Sequence, residues 1–256
     1  MKLAARIPFE KEGAMSDIAK RFEKEIAILS GCSKKVGDLG YAASHGGNLS
    51  HRVDKDVVLI TPTKVPKRRV GPEDVCAVDM EGNVLHAAEG RKPTGETPMH
   101  LGIFRAREDV NAVLHAHPPI MTGFACSKKA GLLSRPVLPE PIVEIGPAVL
   151  IDYAEPLTEE LARTYDKYLP THNVFLMKNH GVTLLSREGL DRAVDFMIML
   201  EKQALTILVA ELLGGAVELT KESVLGLENV ARTRKLPVPG AAGVVKGLAG
   251  MFFPEE

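Results

Sequence analysis

His115-Ala116-His117 is the first place in the chain where residue type and spacing point to chemistry. The segment Ala112 to His117 is apolar and runs into Pro118-Pro119, the pattern of a strand ending in a turn. Side chains alternate faces along a strand, so both imidazoles project from one face and can offer two nitrogens to one metal ion. The competing reading is two surface histidines with no ligand. Catalytic zinc sites use three protein ligands and keep one position open, so a third ligand has to come from elsewhere. His180 is the strongest candidate. It ends the apolar segment Val174 to His180, follows Lys178-Asn179 and precedes Gly181, which lets the backbone turn tightly beside a site. Glu96, in Pro93-Thr94-Gly95-Glu96-Thr97-Pro98, stands at the entrance of a helix. On residue physics alone it is a first-turn acidic group complementing the helix dipole.

The remaining histidines, at 45, 51, 86, 100 and 172, fall in expected loops, hairpin ends or a helix and read as surface or structural. A cupin would place a glutamate just past the His-x-His pair, but Ile120 to Thr122 holds none; a metallo-β-lactamase would place Asp-His there, also absent.

The elements that must carry these residues follow from periodicity. A helix is expected from about Ser16 to Leu29, capped by Ser16 or Asp17, with Ile18, Phe22, Ile26 and Leu29 on one face and Gly31 as its stop. Gly37 to Ser50 reads as a loop and Val57 to Ile60 as a strand. Val75–Val78 and Val84–Leu85 flank Glu81-Gly82-Asn83 as a hairpin, and Pro98 to Arg107 reads as a helix. A long helix runs from Arg187 to Leu213 with an apolar stripe at Leu190, Val194, Met197, Leu200 and Ala204. Residues 1–225 are expected to form one domain and 226–256 a C-terminal tail rather than an independent domain. Interleaved strands and helices give an α/β or α+β class, a sheet covered by helices.

Bulk composition excludes more than it identifies. The 256 residues carry 32 basic and 33 acidic side chains, a formal net charge of -1, so nothing draws the chain as a whole to nucleic acid or to an anionic membrane. No apolar run approaches the roughly 20 residues needed to span a bilayer. Met1 to Lys11 mixes charge with proline and lacks the apolar core of a signal peptide. Cys32, Cys76 and Cys126 are far apart and read as isolated reduced thiols. A cytoplasmic location is expected.

Gly47-Asn48-Leu49-Ser50, Thr61-Pro62-Thr63, Pro93-Thr94-Gly95-Glu96, His115-Ala116-His117 and Asn179-His180-Gly181, taken in order, resemble the class II aldolase/adducin family. The correspondence runs from the first helix to the long helix near Leu213 and leaves out the tail. It implies a three-layer α/β/α sandwich with a central mixed, largely antiparallel sheet, assembled as a homotetramer with sites at subunit interfaces. It makes His115, His117 and His180 the ligands of a zinc ion, with another divalent transition metal as the alternative. Glu96 takes the place of the family's acidic residue, which touches the resting metal and acts as base, its pKa raised by apolar surroundings. Gly47, Asn48, Thr63, Lys64, Thr94 and Gly95 match the phosphate-binding positions. The implied activity is that of a lyase: cleavage of a ketose 1-phosphate, such as L-fuculose 1-phosphate, into dihydroxyacetone phosphate and an aldehyde through a metal-stabilised enediolate.

Departures from the family pattern are specific. Lys64 replaces a glycine after Thr-Pro-Thr, and Gly95 replaces a serine. The run Lys64, Lys67, Arg68, Arg69 is otherwise most simply a solvated loop. The tyrosine that serves as acid in the fuculose-phosphate branch is not found, and Glu140, in Pro139-Glu140, is the nearest proton donor. Other outcomes within the family are a sugar-phosphate 4-epimerase, a methylthioribulose-phosphate dehydratase and a non-catalytic adducin-like scaffold. A Schiff-base aldolase acting through Lys178 is the mechanistic rival.

Overall fold

Alternate residues of the central strands are apolar on both sides, and the reason is visible once the sheet is formed. A computed structural model describes residues 17–254; Ser16, the expected cap, and Met1 to Lys11 lie outside them. Eight strands form one sheet: β1 (Asn48–Asp54), β2 (Val57–Ile60), β3 (Cys76–Val78), β4 (Val84–His86), β5 (Ala112–Ala116), β6 (Ala148–Ile151), β7 (Val174–Met177) and β8 (Gly181–Ser186). Their order is β4-β3-β2-β1-β5-β8-β7-β6, and every neighbouring pair is antiparallel except β6 with β7.

The helices are α1 (Asp17–Arg21), α2 (Glu23–Asp38), α3 (Thr97–Ala106), α4 (Pro119–Ala125), α5 (Pro139–Glu144), α6 (Glu159–Arg163), α7 (Leu190–Leu212), α8 (Lys221–Thr233) and α9 (Leu248–Phe252). Leu49, Leu59, Leu114, Leu176 and Leu184 face a core shared with α2, α4 and α7. Their strand neighbours Val58, Val113, Phe175 and Leu185 face a second core with α3 and α6. With both faces covered, the strands are buried on both sides, and such strands read as continuous apolar runs instead of alternating ones. The fold is the α/β/α sandwich expected.

Three boundaries differ from the expectation. Gly31 does not stop the first helix, because Cys32, Ser33 and Val36 continue its buried face to Asp38. The expected loop to Ser50 is shorter, since Asn48 to Ser50 already pair with β5. Finally, α8 runs unbroken across position 226. It packs with α9 on Ile142 of α5 through Val224, Ala231, Leu248 and Ala249. All three cysteines are free thiols. Among the described residues no helix is long and apolar enough to cross a membrane.

Candidate metal centre

Strand direction gathers the candidate residues. Asn48 pairs with His115, Ala116 with Val182, Ser50 with Ile60, and β6 runs parallel to β7. The start of β1, the ends of β2, β5, β6 and β7, and the start of β8 therefore lie at one end of the sheet. Gly47, Thr61–Lys64, His117 and His180 all leave from that end.

His115, His117 and His180 form a group in which one nitrogen of each ring lies within 4.8 Å of the others. Ring centroids are 4.8 Å apart for His115 with either partner and 5.4 Å for His117 with His180. Each ring is held by its backbone setting. The N–H of His117 donates to the Tyr41 carbonyl at 2.7 Å. The N–H of His180 donates to the Met177 carbonyl at 3.0 Å, after Asn179 takes a left-handed φ of 55°. Gly181 presses on His117: a Cβ there would come within 2.8 Å of the Ala116 carbonyl and closer still to the imidazole. Glu201 of α7 accepts from the N–H groups of Ile120 and Met121 at 2.8 and 2.9 Å. It thereby satisfies the first turn of α4, which follows directly on His117-Pro118.

The donor chemistry fits a metal ion. His115 Nδ1 lies 3.1 Å from the Val182 carbonyl, which can only accept, so Nδ1 carries a proton and Nε2 is the nitrogen turned toward Glu96. His117 Nε2 and His180 Nδ1 are buried without a hydrogen-bond partner. Burial and the neighbouring histidines push His117 down to about 3 and His180 to about 4, so both rings are neutral at physiological pH. Two neutral imidazoles with unengaged nitrogens, beside the Nε2 of His115, are a set that could hold a divalent cation.

Glu96 is brought to this group. It precedes α3 but makes no capping bond to its own helix. Its Oε2 lies 3.6 Å from His115 Nε2 and accepts from Asn48 Nδ2 at 2.6 Å. The expectation of a raised pKa is corrected. Burial does push it up, but His115, the Asn48 amide, His180 and His100 together outweigh that, and the carboxyl titrates below its ordinary value. It is an ionised acceptor at neutral pH.

The expected phosphate positions sit on three adjoining loops. Thr63 N–H donates to the Lys92 carbonyl and Thr94 N–H to that of Thr61, closing the Pro62–Pro93 bridge. Gly47 has a φ of 69°, and a Cβ there would meet the His115 carbonyl at 2.8 Å. Lys64 keeps the left-handed backbone that a glycine would have taken, with φ 60°. Gly95 is exposed at the entrance to α3. The basic run is not simply solvated: Lys67 is 1% exposed, and its ammonium donates to the His45 and Val65 carbonyls at 3.2 and 3.1 Å. Asn48, expected in the same cradle, spends its amide on Glu96 and His100 instead.

Two candidates lie apart. Glu140 is exposed in the first turn of α5, which leads into β6 at the end of the sheet opposite the histidines. Lys178 is exposed and so lacks the buried apolar setting of a Schiff-base lysine. Two residues passed over in the sequence belong here. Tyr153, 55% exposed, stands two residues past β6 at the histidine end, where the Ile151 carbonyl accepts from Lys178 N–H. His100 is wholly buried behind Asn48; its place four residues after Glu96, one helical turn on, was the available signal.

Residues 28–208 match the Class II Aldolase and Adducin N-terminal domain. The chain belongs to the class II aldolase and adducin family. Within it, the chain is 31% identical over 181 residues to a 3-oxo-tetronate 4-phosphate decarboxylase of Haemophilus influenzae, covering 70% of this chain and 82% of that one. It is also 31% identical over 176 residues to an L-fuculose phosphate aldolase of Methanocaldococcus jannaschii, covering 68% and 91%. Among solved structures, the YgbL protein of Escherichia coli superposes with a TM-score of 0.72 at 26% identity, covering 80% and 98%. An L-fuculose 1-phosphate aldolase gives 0.71 at 27%, covering 87% and 98%.

Proposed function

We propose that this chain is a metal-dependent lyase cleaving a ketose 1-phosphate, such as L-fuculose 1-phosphate, into dihydroxyacetone phosphate and an aldehyde. The observation that carries the reading is the ionised Glu96 carboxylate set beside three clustered histidines, two of them with unengaged nitrogens. His115, His117 and His180 would hold the ion, with zinc the expected choice, and a bound divalent cation would draw charge from the substrate's oxygens as a Lewis acid.

The chain's own groups handle the protons. In the condensation direction Glu96 accepts the proton from the carbon beside the ketone; in cleavage it returns one to that carbon. The loops at Gly47, Thr63–Lys64 and Thr94–Gly95 receive the phosphate through the Thr63 and Thr94 hydroxyls and the backbone N–H groups of Gly47, Lys64 and Gly95. Tyr153 is the better-placed exchanger of the aldehyde-side proton, ahead of Glu140. The reading also expects a homotetramer, which the exposed apolar Leu208, Val209 and Leu212 of α7 support.

A second reading is favoured by the 31% identity to the decarboxylase. Loss of carbon dioxide from a 3-oxo acid leaves the electron pair on the carbon beside the ketone, where Glu96 stands to deliver a proton. No base is then needed to take the hydroxyl proton of a departing aldehyde.

One assay series separates the two. A panel of ketose 1-phosphates is tested for release of dihydroxyacetone phosphate, and 3-oxo-tetronate 4-phosphate for release of carbon dioxide, with metal content measured alongside. EDTA abolishes either activity, and borohydride with substrate leaves Lys178 unlabelled. Full metal loading with no release from any substrate would exclude both readings and point to an epimerase or dehydratase.

A further inference from the structure

His100 sits on α3 one turn beyond Glu96 and is 0% exposed. Its ring bridges two side chains of β1: Nδ1 lies 2.6 Å from Ser50 Oγ and Nε2 lies 2.5 Å from Asn48 Oδ1. Ser50 and Asn48 are themselves 0% and 4% exposed, so the group is closed off from water.

Hydrogen-bonding capacity fixes the direction of every bond. The Glu96 carboxylate can only accept, so the Asn48 end facing it at 2.6 Å is the NH₂ group, and the other end is the carbonyl oxygen. That oxygen can only accept, so His100 Nε2 carries the proton. Nδ1 is then a lone pair and receives the Ser50 hydroxyl hydrogen. Ser50, His100, Asn48 and Glu96 form a chain in which each hydrogen points toward the carboxylate. Burial pushes His100 down to about 3, so the ring stays neutral and the direction holds at working pH. An imidazolium would put a hydrogen on Nδ1 and turn Ser50 Oγ from donor into acceptor.

The chain ends on a particular oxygen. Glu96 Oε2 is the atom that meets both Asn48 and His115. With Oε2 held, Oε1 is the oxygen left to exchange a proton. A buried polar chain that is complete rigidifies what it ends on, and one that is broken is costly.

We infer that His100 is a positioning residue for Glu96, holding through Ser50 and Asn48 the orientation in which the carboxylate exchanges its proton. The inference rests on the reading of Glu96 as the base.

Two measurements test it. The first is independent of activity: ¹⁵N NMR of the histidine-labelled protein, metal-loaded. His100 is expected as the neutral Nε2–H tautomer with a slowly exchanging ring proton, and that protection is lost in Asn48→Val. An Nδ1–H tautomer would overturn the proposal.

The second follows hydrogen–deuterium exchange at the carbon of dihydroxyacetone phosphate in D₂O. His100→Leu is expected to slow exchange on the order of 100-fold, the cost of a group displaced by about 1 Å. KM and metal content stay unchanged, and His100→Gln, which can accept from Ser50 and donate to Asn48, recovers most of the rate. Ser50→Ala, a smaller change in case His100→Leu does not fold, slows exchange with KM likewise unchanged. Full exchange in both His100→Leu and Ser50→Ala would refute the relay, and so would an equal rise in KM, the mark of a general structural defect. No exchange in the unaltered protein would instead sink the lyase reading, leaving the tautomer to decide the relay.

Discussion

Gly181→Ala places one methyl group between the metal ligands and the sheet that carries them. The new Cβ would lie 2.8 Å from the Ala116 carbonyl, nearer still to His117 Cδ2, and 3.2 Å from His117 Nε2. Ordinary contact begins at 3.4 Å, so the ring must retreat by more than about 0.6 Å, the deficit at the carbonyl alone. The carbonyl cannot yield easily, because Ala116 is paired with Val182 in the β5–β8 ladder. Metal–ligand distances tolerate only about ±0.2 Å, so a displacement of this size removes His117 from the set. Loss of an orienting contact alone weakens metal affinity by about 10–100-fold, and loss of a ligand should exceed that. Overpacking adds a cost of about 1–3 kcal/mol to the fold. Competition with a chelator gives the zinc affinity, and urea unfolding of the metal-free protein isolates the cost to the fold. A metal-free protein that still folds, destabilised by about 1–3 kcal/mol, with affinity down at least 100-fold is the expected pair of results. Unchanged affinity in a folded variant would refute the assignment of His117 as a ligand.

Lys64→Gly relieves a left-handed backbone worth about 1 kcal/mol and should raise Tm by about 2–4 °C in thermal melts. The same variant should raise KM for the phosphorylated substrate as the exposed ammonium is lost. Burial lowers Lys67 from 10.5 to about 8, so between those values the unfolded chain binds the proton that the folded chain has released. Stability therefore rises with pH across that window, while below about 8 both states are protonated and the cost of the buried cation is present in full. Urea midpoints of the wild type relative to Lys67→Met should climb from pH 8 to 10.5, and a flat difference would contradict this. Tyr153→Phe should slow aldehyde release by about 10²–10⁴-fold if the phenol exchanges the proton, with Glu140→Gln nearly silent. The opposite ranking, read in the same cleavage assay, would restore Glu140.

The grouping of the three histidines was legible in part, because the His115–His117 pair is written in strand periodicity. His115 and His117 follow from a period of two, and the turn at Asn179–Gly181 follows from residues that tolerate a left-handed backbone. Glu96 was not legible from local rules, since an acidic group at a helix start satisfies them without any partner. Its turn toward Asn48 depends on the β1–β5 pairing 48 residues away in sequence. Lys67 misled for a related reason: among exposed Arg68 and Arg69 it reads as solvated, yet Ser33 of α2 binds its carbonyl and the chain closes over it. Tyr153 carries no local signature and His100 only its place one turn after Glu96; the direction of β6 and the hydrogen bonds from α3 to β1 bring them into view. The helix end at Gly31 failed as a rule because three buried residues beyond it outweigh a propensity cost of about 1 kcal/mol.

The histidines stand on β5 and at the start of β8, strands bonded on both sides, with four strands beyond β5 and two beyond β8. Edge strands such as β4 and β6 can fray without moving a ligand. The site therefore has no cheap local opening: amide hydrogens of Leu114 and Leu184 should exchange only through global unfolding, and an ion bound there can leave slowly without the fold ever loosening. Slow release of a bound ion would, in this arrangement, be a property inherited from the middle of the sheet.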